Sequence, residues 1–297
     1  MSTSPLSVGI VGAGRVGAVL GAALAAAGHE IVAASGESAA SRRRIAELLP
    51  TTPVLPAAEV AARARLVIVS VPDDALTALV THLSRAGALG PEQVVAHTSG
   101  AHGLGALAPA VVAGATPLAL HPAMTFTGTA VDLERLRAGV SFGVTAPTGL
   151  RAFATRIVAD LGGAVEWIAE EHRVLYHAAL AHGSNHLVTL ANEAMDRLRD
   201  AGVTDPARVL APLLRAALDN ALRLHDAALT GPVSRGDAGT VTRHLVTLGA
   251  TAPESVPAYL ALARRTADRA IAAGRLRPAA AAPLLDVLAG NRQEATA

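Results

Sequence analysis

Short apolar runs alternate with alanine-rich helical stretches over the first half of the chain, and no strand-like run of any length follows Trp167. Residues 6–11, 30–34, 66–71, 93–97, 117–121, 140–145 and 164–167 have the apolar, β-branched character of strands. Helical stretches lie between most of them, the pattern of a parallel sheet covered on both faces. Pro91, Pro109 and Pro147 fall in the intervening loops, where a residue without a backbone N–H is tolerated. From Glu170 the period changes. Residues 170–200 read as one long helix closed by Ala201-Gly202, with further helices over 206–228, 238–248, 256–273 and 279–288. The expected architecture is α/β: a doubly wound sheet over 1–168, then an all-α domain over 169–297.

Gly12-Ala13-Gly14-Arg15-Val16-Gly17 stands directly between the first apolar run and the helical stretch 18–27. G-x-G-x-x-G with a strand before it and a helix after it has a mechanism. The first glycine allows a tight turn and the second lets backbone approach a pyrophosphate. The third lets helix and strand pack closely, so that the helix N-terminus faces the phosphates. This segment predicts a dinucleotide site.

Residues 31–34 end in Ser35-Gly36, where a carboxylate would take the ribose hydroxyls of NAD. Glu37 follows, then Ser38, Ser41, Arg42, Arg43 and Arg44. Ser35, Ser38 and Arg42 or Arg43 suit a 2′-phosphate, so NADP(H) is expected over NAD(H). Glu37 speaks for the other cofactor, and the arginine run also suits the solvated start of a helix. Val71 and Pro72, after the run at 66–71, are expected beside the cofactor. Asp73 and Asp74 read equally as helix caps.

Composition narrows the chemistry. A net charge of +1 over 297 residues gives no reason to expect nucleic acid or an anionic membrane as partner. The chain has no cysteine, which removes disulfides and thiolate chemistry. Residues 1–7 lack the features of a signal peptide and the longest apolar stretch, 19–27, is too short to span a bilayer. A cytoplasmic protein is expected. All 25 basic side chains are arginine, so no lysine can serve as acid, Schiff base or phosphate anchor.

Ligands of open α/β sheets bind beyond the carboxyl ends of the strands. That topology brings forward Ser99, in His97-Thr98-Ser99-Gly100, and His121, in His121-Pro122. Farther on, Tyr176-His177 precedes His182-Gly183-Ser184-Asn185-His186. On a continuous α-helix His177 and Asn185 share nearly one face, with small Ala181 between them. His182 and His186 have chelating spacing but no third ligand beyond Glu193, so no metal is expected. In the segment 228–237, Arg235 offers a planar fork for a carboxylate, while Asp237 reads as a substrate contact or as the cap of the next helix.

The chain resembles the Rossmann-like oxidoreductases whose C-terminal helical domain was long catalogued as a domain of unknown function. The likeness rests on Gly12 to Gly17, His97-Thr98-Ser99-Gly100, Leu120-His121-Pro122 with Phe126, Tyr176-His177 and Ser184-Asn185. Residues 228–237, with His244, come close to that family's ALTGP-x-x-RGD signature. The resemblance extends to β-hydroxyacid dehydrogenases, 6-phosphogluconate dehydrogenases, ketopantoate reductases and pyrroline-carboxylate reductases. Several of these carry a lysine and, four residues later, an asparagine. Asn185 fits the asparagine, but Ala181 stands at the lysine position.

The resemblance implies an NADP-dependent reductase of a small keto acid, with 2-dehydropantoate in front. Asn185 would orient the carbonyl, His121 or His177 would supply the proton, and Ser99 would donate to the developing alkoxide. Arg235, with Tyr176 and Asp237, would hold the acidic substrate. It also implies a homodimer formed through the helical domain. The alternatives are an imine-directed reductase of pyrroline-carboxylate or opine type, and a non-catalytic dinucleotide-binding sensor or assembly protein.

Overall fold

In the computed structural model, which describes residues 5–294, the expected strands and most helices form. The chain runs β1 (Ser7–Val11), α1 (Arg15–Ala26), β2 (Glu30–Ala34), α2 (Ala39–Leu48), α3 (Ala57–Ala62), β3 (Leu66–Val69), α4 (Asp73–Arg85), β4 (Val94–His97), α5 (Ala108–Val112) and β5 (Thr116–Pro122). It continues through α6 (Val131–Arg137), β6 (Ser141–Thr145), α7 (Arg151–Asp160), β7 (Ala164–Trp167) and α8 (Arg173–Leu180). The helices that follow are α9 (His186–Asp200), α10 (Pro206–Leu224), α11 (Gly231–Ser234), α12 (Ala238–Thr251), α13 (Val256–Ala272) and α14 (Pro278–Glu294). Two compact units divide between Ser184 and Asn185.

The seven strands lie in the order β2-β1-β3-β4-β5-β6-β7. Alternation of side chains dictates how the sheet is buried. Val8 and Ile10 of β1 and Leu66 and Ile68 of β3 point into one apolar cluster, filled from α1 and α7. Their neighbours Val11, Val67 and Val69 point into a second cluster, filled from α3, α4 and α5. Each such Val, Ile or Leu contributes about 1.5–3 kcal/mol of burial, and a two-residue period with both sets apolar admits only a sheet covered on both faces.

The sheet is not parallel throughout. β5 and β6 pair antiparallel, with His121 opposite Gly143 and Pro122 opposite Phe142. The excursion through α6 starts and ends at the same sheet edge, Ala123 N–H donating to the Ser141 carbonyl. It therefore cannot act as a parallel crossover. The N-terminal ends of β6 and β7 consequently join the edge where β1 to β5 finish.

The single helix expected over 170–200 is also interrupted. A 3-10 turn (Glu170–His172) precedes α8, and a wide π turn (Ala181–Asn185) separates α8 from α9. The π turn changes the helical period, so the same-face argument for His177 and Asn185 no longer applies. The first unit also runs beyond the boundary expected at Ala169. Glu170, Arg173 and Tyr176 tie residues 170–177 to the sheet through the bonds described below.

In the second unit the core lies between α12, α13 and α14. Val241 and Leu245 meet Leu260, Ala263, Ala267 and Ala270, closed by Leu276, Ala281, Leu284 and Leu288. Alanines on the inner face of α13 let its neighbours approach closely. Among the described residues this unit contains no strand.

Leu284 is fully buried in that core, whereas Leu222 on α10 is 71 % exposed. Leu284→Ala is expected to cost about 2–5 kcal/mol in urea unfolding. Leu222→Ala should leave the stability of the single chain within about 0.5 kcal/mol. Equal losses at both positions would contradict this packing.

Candidate active site

The glycine loop is built for a phosphate. Gly12 has φ +88°, and a Cβ there would lie 2.5 Å from the Ser70 carbonyl and 2.8 Å from Val71 Cγ1. A Cβ on Gly17 would strike the Gly12 carbonyl, whereas one on Gly14 would meet nothing within 4 Å. The first and third glycines thus serve packing, and the middle one faces open space. Gly14 is the N-cap of α1 without a side-chain cap, and the first turn holds no acidic residue. The leading N–H groups and the helix dipole favour an anion there. Ala13 is buried and its N–H donates to the Ser35 carbonyl, while Arg15 is exposed and Val16 half-buried beside the loop. Val71 lines the turn, and exposed Pro72, not Asp73 or Asp74, is the N-cap of α4.

Beyond β2, several groups expected at a 2′-phosphate have protein partners. Ser35 is buried and its Oγ accepts from Gly12 N–H at 3.0 Å. Ser38 caps α2 by accepting from Ser41 N–H. Arg42 donates to the carbonyls of Gly36 and Glu37, and Arg43 pairs with Glu47 at 3.7 Å. Ser35 therefore supports the loop itself. Ser38, Arg42 and Arg43 stand on the solvent side of the same strand end.

Where β4 and β5 end and β6 begins, three rings converge. His121 Nδ1 lies 3.0 Å from the Tyr176 hydroxyl. His121 is edge-on to Tyr176, with centroids 5.6 Å apart, and to His177 at 6.0 Å. Two glycines permit this approach. A Cβ on Gly100 would lie 2.6 Å from His177 Cδ2 and 3.0 Å from His121 Nε2, and one on Gly143 would lie 2.5 Å from the Tyr176 oxygen.

Beneath the rings lies Arg173, 1 % exposed. Its guanidinium donates to Thr145 Oγ1 at 2.9 Å and to the carbonyls of Ser99, Ala119 and Gly143 at 3.4, 3.2 and 3.0 Å. Glu170, one turn earlier, accepts from the N–H groups of Leu104 and Gly105. His97 is fully buried between the Gly103 carbonyl (2.9 Å from Nε2) and Ser99 N–H, which donates to Nδ1. This pattern assigns the Nε2–H tautomer. Sequence reasoning missed Arg173, Glu170 and the sealed state of His97, because a polar run at a helix start reads as a solvated face.

Burial sets the protonation of these groups. His97 is lowered to about 4, chiefly by desolvation, and His121 also to about 4, by desolvation and then by the neighbouring His177 and Arg173. Burial raises Tyr176 above its ordinary value, so it keeps its proton. At neutral pH His121 is an uncharged imidazole with Nδ1 in hydrogen-bond contact with the Tyr176 hydroxyl. The expectation that it supplies the proton as an imidazolium does not fit this environment.

Of the other expected site residues, Ser99 adjoins this cluster through Arg173 and His97. Ser99 Oγ accepts from His102 N–H, which leaves its own proton to donate. Asn185 is exposed and opens the second unit. Asp237 takes the capping role: it accepts from Thr240 N–H and begins α12, and that bond holds its carboxyl below the usual range. The cap reading of Asp237 is the one this bond bears out. Arg235 is exposed on the turn after α11. Among the described residues no group of three or more His, Asp or Glu side chains is arranged to hold a metal, and no helix is long and apolar enough to cross a membrane.

Residues 1–122 match the Rossmann-like domain family, and residues 140–266 match DUF2520, a domain of unknown function. The chain belongs with the proteins that join a Rossmann-like domain to DUF2520. No curated protein matches the sequence. Among solved structures it is similar to a Bacteroides fragilis protein described as an NADP oxidoreductase (24 % identity, TM-score 0.74, covering 89 % of this chain and 98 % of that one). It is also similar to 1-pyrroline-5-carboxylate reductase from Streptococcus pyogenes (20 %, 0.61, 90 % and 99 %). A third is an imine reductase variant from Myxococcus stipitatus in complex with NAD+ (16 %, 0.60, 90 % and 94 %). These likenesses establish the fold.

The depressed imidazoles carry a stability consequence. Unfolded, His97 and His121 bind protons near pH 6.5; folded, near 4. Between those values the unfolded chain holds more protons, so stability declines as pH falls through this window. His177, Arg173 and His97 push His121 down, and Asp73 opposes them. Urea midpoints are expected to drop between pH 7.5 and 4.5, with a shallower drop in His97→Gln. An equal slope in that variant would refute the assignment for His97.

Proposed function

We propose that the chain is an NAD(P)H-dependent reductase of a small acidic substrate with a C=N or C=O bond. One observation carries this reading. The phosphate-ready loop after β1 and the His121–Tyr176–His177 cluster after β5 belong to one sheet edge, where ligands of such sheets bind. The names of two structural relatives, pyrroline-carboxylate reductase and imine reductase, favour C=N over 2-dehydropantoate as the reducible group.

A bound nicotinamide dinucleotide supplies hydride. Gly12, Gly14 and the first N–H groups of α1 would hold its pyrophosphate, and Ser38, Arg42 and Arg43 favour NADP(H) over NAD(H) at the ribose. Tyr176 keeps its hydroxyl proton and donates to His121 Nδ1, which directs the His121 Nε2–H toward the Gly100 side of the pocket. His177, the partner of that ring, is the proton donor to the substrate nitrogen or oxygen. Ser99 donates a hydrogen bond as charge develops. Asn185 and Arg235 enter as carbonyl- or imine-orienting and carboxylate-binding groups on the strength of the sequence signature. A second copy of the chain covers the apolar stripe of α10, where Leu213 and Leu222 are 65 % and 71 % exposed.

The test is turnover of NADPH and NADH against cyclic imino acids and 2-keto acids, 2-dehydropantoate included. NADPH is expected to be used better, and His177→Gln to lower kcat by about 10²-fold or more. Equal use of NADH would remove the arginine argument. Nucleotide binding without consumption on any substrate would favour the sensor reading instead. Separately, Leu213→Glu with Leu222→Glu is expected to convert a dimer to monomer in light scattering; a monomeric wild type would remove the proposed partner.

A further inference from the structure

In the second unit, the turn after α11 and the turn after α13 carry one arginine each to the same cavity. It measures about 670 Å³ and is lined by Leu229, Thr230, Ser234, Arg235, Gly274 and Arg275. Both arginines stand on fixed backbone. Arg235 N–H donates to the Pro232 carbonyl, and Gly236 and Asp237 close the same turn onto Val233 and Pro232. Gly274 has φ +67°, and Arg275 and Leu276 N–H both donate to the Ala270 carbonyl, ending α13.

The residues next to the two arginines pack against each other. A Cβ on Gly236 would lie 2.8 Å from the Ala280 carbonyl and 3.0 Å from Leu276 Cδ1, and Leu276 is itself buried. That contact fixes the spacing of the two turns, and both arginines line the one cavity.

The charge at this rim is unbalanced. Neighbouring arginines have acceptors: Arg269 pairs with Asp226, and Arg264 donates to the Leu288 carbonyl. Among the described residues neither Arg235 nor Arg275 forms an ion pair. Asp237, which accepts from Thr240 N–H, keeps its negative charge and offsets Arg235 in part. Ser234 Oγ is committed as a donor to the Gly231 carbonyl. Donors left for a ligand are therefore the two forks, five N–H groups each, and the Thr230 hydroxyl. A small monoanion can take the bidentate bonds of only one fork, whereas a doubly charged oxyanion can engage both.

We infer that Arg275 is the second arm of the site opened by Arg235, and that this site takes a dianionic ligand, a dicarboxylate or a phosphate monoester. The inference rests on the reading of Arg235 as an acid anchor and adds that the acid carries a second negative charge.

The test titrates the full chain with succinate, inorganic phosphate and acetate at constant ionic strength, by calorimetry and thermal shift. Succinate or phosphate, whichever class is correct, is expected to bind, and acetate roughly tenfold more weakly. Arg275→Gln, at an exposed position, is expected to abolish that preference, and Arg275→Lys to restore it only in part. Dianions binding no better than acetate, or binding Arg275→Gln as tightly as wild type, would overturn the inference. Reductase assays separate the two ideas. If Arg235→Gln raises KM and Arg275→Gln changes neither binding nor KM, only the second arm falls. If Arg235→Gln leaves turnover intact while Arg275→Gln loses dianion binding, the anchor reading falls and the anion site stands.

Discussion

The site in the first unit depends on a buried cation, Arg173, that forms no ion pair among the described residues and feels Glu170 only at longer range. Taking a guanidinium out of water costs several kcal/mol, and Arg173 recovers this from one hydroxyl and three carbonyls. The Ala119 carbonyl is to hand where the β4–β5 ladder stops, His97–Ala119 being its last registered pair. The planar fork reaches several strands at once. An ammonium group, with three donors on one atom, could not span them. Arg173 thereby fixes the start of α8, and with it the heights of Tyr176 and His177 above the sheet.

The same placement decides charge as well as position. Burial, and after it the neighbouring His177 and Arg173, disfavour a positive charge on His121, so the imidazole stays neutral. Gly100 and Gly143 provide the room. With a methyl group at either position, the rings or the phenol would have to move by more than side chains normally yield. The antiparallel return of β6 matters here, because it sets Gly143 opposite His121. A parallel crossover would bring a strand's C-terminal end to this edge in place of Gly143.

Much of this was legible in the sequence. Short apolar runs predict all seven strands and the glycine spacing predicts the loop, because both signals are local. What escaped is non-local. Nothing near Arg173 announces that it is buried, since its acceptors come from residues 99, 119, 143 and 145. The direction of β6 was equally hidden, as was the π turn at 181–185, which no single residue marks. Asp237 shows the opposite case. Its position just before a helical run signalled a cap, and the local hydrogen bond bears the cap out.

The absence of lysine takes its meaning from these environments. Without an ammonium acid, a proton must come from an imidazole, a phenol or water. His97 is sealed from solvent with both nitrogens bonded. His121 is held neutral, and Tyr176 grips its proton more tightly than a free phenol. His177, proposed above as the donor, has its ring against the Gly100 side of the pocket and packs edge-on against His121. The sequence could name two histidines as candidates; only the burial of one and the cation beneath it distinguish their roles.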